Sequence, residues 1–206
     1  MGPMSTVETT IALLKDLIRN GCVNDLTADS GNEARNADTL EAFFAGAPGV
    51  RVQRFEPHPG RVSIAFTIDG TDPDAEPLTL LGHTDVVPVD ESKWTHDPFG
   101  AEEVDGRIYG RGATDMLYIT AAMAAAVLDV AESGTRPRGT LTFVGCADEE
   151  ARGGLGAGWL AEHEADAFSW RNCLSEEGGS HLPVADGSDA LVVVVGEEGA
   201  GQRRLT

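Results

Sequence analysis

Apolar side chains at helical spacing, a helix-start motif and an alanine-rich run are among the patterns that predict helices in four stretches of the chain. The first stretch carries Val7, Ile11, Leu14 and Ile18, which lie three or four residues apart and predict an amphipathic helix. The third stretch is rich in alanine, which favours a long, closely packed helix. The predicted helices span residues 6–19, 30–44, 113–130 and 154–163.

Short apolar runs bounded by turn residues alternate with these helices and predict strands. The predicted strands are residues 51–55, 61–68, 78–81, 140–145, 172–174 and 191–195. Residues 89–112 are polar and rich in turns, with Trp94, Phe99 and Tyr109 as the expected anchors. This alternation predicts one α/β domain with a mixed, largely parallel sheet that is flanked by helices on both faces.

The strongly acidic composition argues against certain classes of binding partner. The net charge is −19 at pH 7, from 34 acidic and 15 basic residues. Such a surface repels phosphate backbones, which argues against nucleic acid as a partner. No stretch approaches the ~18–20 apolar residues that a membrane span needs, and the first residues do not resemble a signal peptide. Three dispersed cysteines without a CxxC pair indicate structural thiols in a reducing compartment, and we expect a cytoplasmic protein.

Side chains of metal-ligand type follow directly after three of the predicted strands, and another opens a predicted helix. In open α/β sheets, sites form beyond the carboxyl ends of the strands, so these groups can converge. Several carboxylates brought together repel one another, and a pair of divalent metal ions would remove that repulsion. Imidazole with carboxylates suits zinc, with cobalt or manganese as alternatives. The groups are His83 with Asp85, Glu149 with Glu150, Glu176 with Glu177, and Asp115.

Each group taken alone has a plainer interpretation. A His-x-Asp pair is more often a surface pair, an Asp-Glu-Glu run is usually a solvated charge run, and Asp115 alone would be a helix N-cap. Their shared placement after strands is what favours a common site. In an extended segment, Asp85 points the same way as His83, and we expect it to accept the second N–H of that imidazole.

Four segments in chain order resemble the metal-site motifs of the M20 metallopeptidases, a family of carboxypeptidases, aminoacylases and deacylases. The resemblance extends from the first helix to Gly199. Leu117 stands where the family often has lysine, and we expect it to pack into the core. The segments are Gly82-His83-Thr84-Asp85-Val86-Val87-Pro88, Gly110-Arg111-Gly112-Ala113-Thr114-Asp115-Met116, Asp148-Glu149-Glu150 and Glu177-Gly178-Gly179.

This resemblance implies a site for two Zn²⁺ ions, with Co²⁺ or Mn²⁺ as alternatives. Glu149 would serve as general base and then general acid, and Asp85 would hold His83. The peptide bond between Asp115 and Met116 would be cis. The metal ligands that the resemblance implies are His83 and Glu177 on the first ion, Glu150 on the second, and Asp115 bridging both.

The implied activity is hydrolysis of amide bonds in small peptides or N-acyl amino acids, in a protein that pairs as a homodimer. The resemblance also implies that residues 1–206 are the N-terminal portion of the catalytic domain, without the lid domain and the last histidine ligand. Met1-Gly2-Pro3 is typical of an expression remnant, with Met4 as the natural start.

Two alternatives stay open at this point. One is a non-catalytic metal-binding fragment or relative that holds a single ion and has no turnover. The other is a zinc aminopeptidase with a similar two-metal centre, which the Gly-His-Thr-Asp motif argues against. The histidines outside the motifs are interpreted as surface or structural residues; they are His58, His96, His163 and His181.

Overall fold

A five-stranded sheet with helices on both of its faces forms most of the molecule. The structure, a computed structural model, describes residues 5–176 and 181–191. It divides into two units, the first running to Ser175 and the second beginning at Glu176. The helices are α1 Thr6–Asn20, α2 Ala34–Phe43, α3 Leu117–Glu132 and α4 Ala157–His163. The strands of the first unit are β1 Val50–His58, β2 Arg61–Ile68, β3 Leu78–His83, β4 Glu102–Val104, β5 Arg107–Tyr109, β6 Leu141–Cys146 and β7 Cys173–Leu174.

The main sheet has the order β1-β2-β6-β3-β7 and confirms the predicted mixed α/β fold. Strands β1, β2 and β6 pair antiparallel, whereas β6, β3 and β7 pair parallel, so the described pairs divide evenly between the two types. A two-residue turn joins β1 to β2 and makes this pair antiparallel. Gly60 in that turn has a φ of 83°, which glycine adopts without steric cost.

One face of the sheet packs against α1, α2 and α3. Strand β2 is buried along its whole length and sends Ile64 and Phe66 to this face. Phe66 stacks on Phe44 with ring centroids 4.2 Å apart, and Phe143 of β6 stacks beside it at 6.0 Å. Apolar burial of this kind is the main favourable term in folding and fixes β2 at the centre of the core.

The opposite face of the same strands packs against α4. Ala65 and Val144, the alternate residues of β2 and β6, lie here with Leu160 of α4 and Phe168. Successive side chains of a strand point to opposite faces, so central strands covered on both sides are continuously apolar. Helices on both faces were predicted, and this second cluster confirms them. No helix among the described residues has both the length and the apolar character to cross a membrane.

Three local features differ from the sequence prediction. Residues predicted as polar turns contain the hairpin β4–β5, whose strands are only three residues long and too short to show an alternating pattern. Helix α3 begins at Leu117 rather than at residue 113, because residues 110–116 form turns around Gly112, which has a φ of 84°. The second unit contains a hairpin of β8 His181–Pro183 and β9 Asp189–Leu191, and residues 192–195 of the last predicted strand lie outside the described residues.

Helix α1 begins with a capping box that can be tested directly. The Ser5 hydroxyl accepts the main-chain N–H of Glu8, and the Glu8 carboxylate accepts the main-chain N–H of Ser5 at 2.8 Å. We expect Ser5→Ala to lower the free energy of unfolding by about 1 kcal/mol, and Ser5→Gly by only a few tenths. Urea unfolding measures both values. Equal losses in the two variants would contradict the capping role.

Candidate metal centre

The candidate site lies beyond the carboxyl ends of two neighbouring parallel strands. In the register of β3 with β6, His83 pairs with Cys146, so both strands end at the same edge of the sheet. Asp85 follows the first strand, and a single helical turn over Glu149–Ala151 follows the second. Asp115 comes to the same edge from the turn that precedes α3. The structure thus brings His83, Asp85, Asp115, Glu149 and Glu150 together at this edge of the sheet.

The His83 imidazole is buried and has different partners on its two nitrogens. Nδ1 lies 3.0 Å from the main-chain oxygen of Asp85 and 3.4 Å from its carboxylate Oδ1. The main-chain oxygen, rather than the predicted carboxylate, is thus the nearer acceptor for the Nδ1 proton. Nε2 lies 3.2 Å from Asp115 Oδ1 and 3.7 Å from Glu149 Oε2. A ring that donates from Nδ1 turns its Nε2 lone pair towards these carboxylates, and a divalent cation between them, or a second ring proton, would relieve the repulsion.

Asp85 is buried and connects the segment after β3 to the turn after β6 by hydrogen bonds. Its carboxylate accepts the side-chain amide of Asn24 at 2.8 Å and the main-chain N–H groups of Glu149 at 3.2 Å and Glu150 at 3.1 Å. Burial alone would raise the pKa of Asp85, but hydrogen bonds from His83 and Asn24 outweigh it and hold the pKa below its usual range. Asp85 is therefore an ionised anchor for the turn that carries both glutamates.

Glu149 and Glu150 bring carboxylates close to the imidazole. One ligand atom from each of His83, Glu149 and Glu150 lies within 4.8 Å of the other two. Burial raises the pKa of Glu150 to about 7; the charge of His83 opposes this shift, and the carboxylate of Asp115 adds to it. Glu150 Oε1 is buried without a hydrogen-bond partner. A buried carboxylate oxygen that lacks a donor, beside an imidazole and further carboxylates, fits a divalent cation.

Helix α3 holds the histidine and Asp115 in relation to each other. The peptide bond between Asp115 and Met116 is cis, as the resemblance implied. The Met116 sulfur accepts the main-chain N–H of His83 at 3.2 Å, and the Thr120 hydroxyl donates to the His83 carbonyl at 2.8 Å. Leu117 is buried in the core, which confirms the prediction that it packs there. The end of β3 is thus fixed by side chains of α3.

The remaining predicted residues divide into two groups. Glu177, the implied fourth metal ligand, lies outside the described residues. The histidines away from the motifs have structural or surface partners: His96 lies 2.9 Å from Glu102, His163 stacks on Trp159, and His58 contacts the Pro59 carbonyl.

Sequence reasoning missed a set of buried polar residues behind the site. Asn24, Glu33, Arg61 and Asp148 are all buried and hydrogen-bonded to one another. An arginine at the start of an otherwise apolar strand was the available signal, because a buried arginine requires paired carboxylates.

The comparisons with known proteins agree with this geometry. Residues 79–205 match the model of peptidase family M20/M25/M40. Over 153 residues, 71% of this chain, the sequence is 38% identical to the succinyl-diaminopimelate desuccinylase of Rhodopseudomonas palustris strain TIE-1 and covers 37% of that protein. Over 109 residues it is 39% identical to aminoacylase-1 of Sus scrofa, covering 52% of this chain and 27% of the relative. The chain thus spans well under half the length of these curated relatives.

Two solved structures resemble the fold. An M20 family metallo-carboxypeptidase, Sso-CP2 from Sulfolobus solfataricus, superposes with a TM-score of 0.63 at 22% identity, covering 90% of this chain and 39% of that one. Human carnosine dipeptidase 1 superposes with a TM-score of 0.55 at 27% identity, covering 82% of this chain and 37% of that one. At 22% identity, the likeness to the Sulfolobus solfataricus carboxypeptidase is evidence of the fold alone.

Proposed function

The chain belongs to peptidase family M20/M25/M40, and from that premise we propose that it is the N-terminal part of a di-metal catalytic domain that hydrolyses amide bonds. The observation that carries the proposal is the convergence of Asp115 and Glu149 on His83 Nε2 at the carboxyl edge of the sheet. Glu150 completes the cluster with a buried carboxylate oxygen that lacks a donor. Imidazole and carboxylate oxygens in one place form the ligand set of hydrolytic zinc sites.

The substrate class we propose is a small peptide or an N-acyl amino acid. The names of the relatives support this class, since a desuccinylase, an aminoacylase and a dipeptidase act on amide bonds of such molecules. The chain covers only 37% of the desuccinylase, so the activity proposed here is that of the complete protein. A cytoplasmic location and a homodimer of the complete protein stay predictions.

The residues of the site have distinct proposed roles towards the metal. His83, Asp115 and Glu150 would hold the ions, together with Glu177, and Asp85 would position His83 from behind. Bound Zn²⁺, or Co²⁺ or Mn²⁺ in its place, lowers the pKa of a water molecule and polarises an amide carbonyl. The three carboxylates and the imidazole would supply the hard and borderline ligands that these ions prefer.

Glu149 is the proposed general base and acid. Its side chain is 48% exposed, in contrast to the buried Asp85, so it can reach a substrate at the open side of the site. Its main-chain N–H donates to Asp85 Oδ1, and this bond fixes the position of the Glu149 backbone. Glu149 Oε2 would take a proton from the attacking water and then deliver it to the nitrogen of the leaving amine.

Metal content of the purified chain tests the proposal. After dialysis against trace zinc, we expect about one ion per wild-type chain. The second ion would have only Asp115 and Glu150 as protein ligands, and a zinc site with two protein ligands should be weak. Asp115→Ala is expected to retain none. Asp69→Ala is the matched control, since Asp69 is 66% exposed and Asp115 70% exposed. Equal zinc in all three proteins, or none in any of them, would contradict the proposed metal centre.

Activity separates the enzyme from the non-catalytic alternative. The same chain and a longer form of the protein would be incubated with N-succinyl and N-acetyl amino acids and with dipeptides, with and without zinc. Zinc-dependent release of the free amine by the longer form, lost in its Glu149→Gln variant, supports the hydrolase. Zinc retention without turnover by either form would identify a metal-binding relative instead.

A further inference from the structure

A buried network of polar side chains stands directly behind the metal centre. It joins the loop after α1, the start of α2, the start of β2 and the two turns that carry the site. All five members of the network are buried, and three of them are carboxylates, two of which lie against a single arginine. They are Asn24, Glu33, Arg61, Asp85 and Asp148.

Arg61 anchors the far side of the network. Its Nη1 lies 2.7 Å from Glu33 Oε1 and 3.4 Å from Asp148 Oδ1. Its Nη2 donates to the main-chain oxygen of Thr27 at 2.6 Å and to Asn24 Oδ1 at 3.3 Å. A guanidinium offers donors in a fixed plane, so these bonds determine where the Asn24 side chain lies.

The surroundings of Asn24 fix which way its amide points. Oδ1 accepts from Arg61 Nη2 and from the main-chain N–H of Leu26 at 3.1 Å. Nδ2 donates to Asp85 Oδ2 at 2.8 Å and lies 3.3 Å from Asp148 Oδ1. N–H donors surround Oδ1, and carboxylate oxygens surround Nδ2. A flipped amide would place its N–H groups against these donors and its oxygen against these carboxylates.

The bond from Asn24 is the shortest hydrogen bond that Asp85 Oδ2 accepts. The same oxygen accepts the main-chain N–H of Glu150, while Oδ1 accepts that of Glu149 and faces His83 Nδ1. Rotation of this carboxylate would therefore loosen both glutamates and the imidazole together. What prevents the rotation, apart from those groups themselves, is the amide of Asn24.

We propose that Asn24, held by Arg61, is a positioning residue that locks the Asp85 carboxylate and through it the turn bearing Glu149 and Glu150. The consequence for metal binding rests on the proposed function, whereas the locking of the turn does not. Asn24 contacts none of the side chains proposed as metal ligands and is buried away from the open side of the site. Its effect passes entirely through the oxygen atoms of Asp85.

The first test uses the metal-free 206-residue chain and amide hydrogen exchange followed by NMR. In Asn24→Ala, the exchange of the Glu149 and Glu150 amides is expected to be about tenfold faster, because local openings report the loss of local contacts. The amides of the core strand residues Phe66 and Phe143 should accelerate by a smaller factor, which reports only the loss of global stability. Unchanged rates at both glutamates, or one uniform acceleration of all amides, would overturn the proposal.

One further variant of Asn24 identifies which half of its side chain matters. Asn24→Asp keeps the acceptor for Arg61 and Leu26 but removes the donor to Asp85, so it should exchange at least as fast as Asn24→Ala. Wild-type rates in Asn24→Asp would show that only the acceptor counts and would overturn the proposal. Asn172→Ala is the matched control, since Asn172 also donates its amide to a carboxylate, Glu76 at 2.9 Å, at the opposite end of β3.

Zinc titration with a competing chelator gives the second readout. Asn24→Ala is expected to bind zinc 10- to 100-fold more weakly than the wild type, the usual effect of losing an outer partner of a metal site. Wild-type affinity in this variant, despite faster exchange of both glutamate amides, would overturn the link to the metal. If the wild-type chain binds no zinc, but Asn24→Ala still accelerates exchange at both glutamates, the proposed function would be contradicted and the locking of the turn supported.

Discussion

Replacing Arg61 by methionine is expected to lower the free energy of unfolding by about 3–5 kcal/mol, the usual result of removing one partner from a buried ion pair. Arg61 is buried and its Nη1 lies 2.7 Å from the Glu33 carboxylate and 3.4 Å from that of Asp148. Methionine restores the apolar volume but leaves both carboxylates without a counter-charge. Urea unfolding monitored by circular dichroism measures the loss.

Arg54→Met provides the matched control for this prediction. Arg54 also faces two carboxylates, Asp38 at 2.8 Å and Glu41 at 2.7 Å, but its side chain is 36% exposed. Solvent screens such pairs, and we expect a loss of less than about 1 kcal/mol. Similar losses in the two variants would mean that burial does not decide the strength of the Arg61 pairs.

Replacing Asp85 by asparagine is expected to damage both the fold and the site. Each carboxylate oxygen accepts at least one N–H: Oδ1 from Glu149, and Oδ2 from Glu150 and Asn24. An amide in either orientation turns its own N–H groups towards one of these donors, which costs about 1–3 kcal/mol for the unsatisfied group. We also expect zinc affinity to fall 10- to 100-fold, since the turn that carries Glu149 and Glu150 loses the carboxylate that holds it and His83 loses a charged neighbour 3.4 Å from its Nδ1. Urea unfolding and chelator competition measure the two effects.

Asp72→Asn is the comparison for this second prediction. Asp72 also accepts a main-chain N–H, that of Asp74 at 3.0 Å, in the turn between β2 and β3 at the opposite end of the sheet. It is more exposed, and water can replace its lost partner. Zinc affinity should therefore stay at the wild-type value in this variant. A wild-type affinity in Asp85→Asn as well would exclude Asp85 from the support of His83.

The part of the site that could be predicted from the sequence is the part with a local signature. His83 and Glu149 each follow a short apolar run, and the carboxyl ends of neighbouring parallel strands meet by the geometry of the sheet. The central strands β2 and β6 were predicted from their short, largely apolar runs, and the structure buries them on both faces. The hairpin β4–β5 was missed because its strands are only three residues long and leave no periodic pattern.

The supporting network could not be predicted, because its partners come from distant parts of the chain. Residues 30–33 were interpreted as a helix start, yet α2 begins at Ala34 and the Glu33 side chain caps no N–H of that helix. It turns inward to Arg61 instead. Gly31, with a φ of 77°, makes this possible, since a Cβ there would collide with the Arg61 guanidinium and the Glu33 carboxylate. Only the tertiary structure shows why these polar residues occur in a segment that otherwise resembles a loop.

The parallel pairing that sets His83 opposite Cys146 constrains how such a sequence can change in length. Because side chains of a strand alternate between faces, deleting one residue within β3 would turn the imidazole position to the opposite face of the sheet. The same deletion in the polar turn of residues 70–77 would fall before the pairing begins at Leu78 and leave the register intact. Insertions and deletions should therefore accumulate among homologues at the amino-terminal ends of these strands, and the distance from Leu78 to His83 should stay constant.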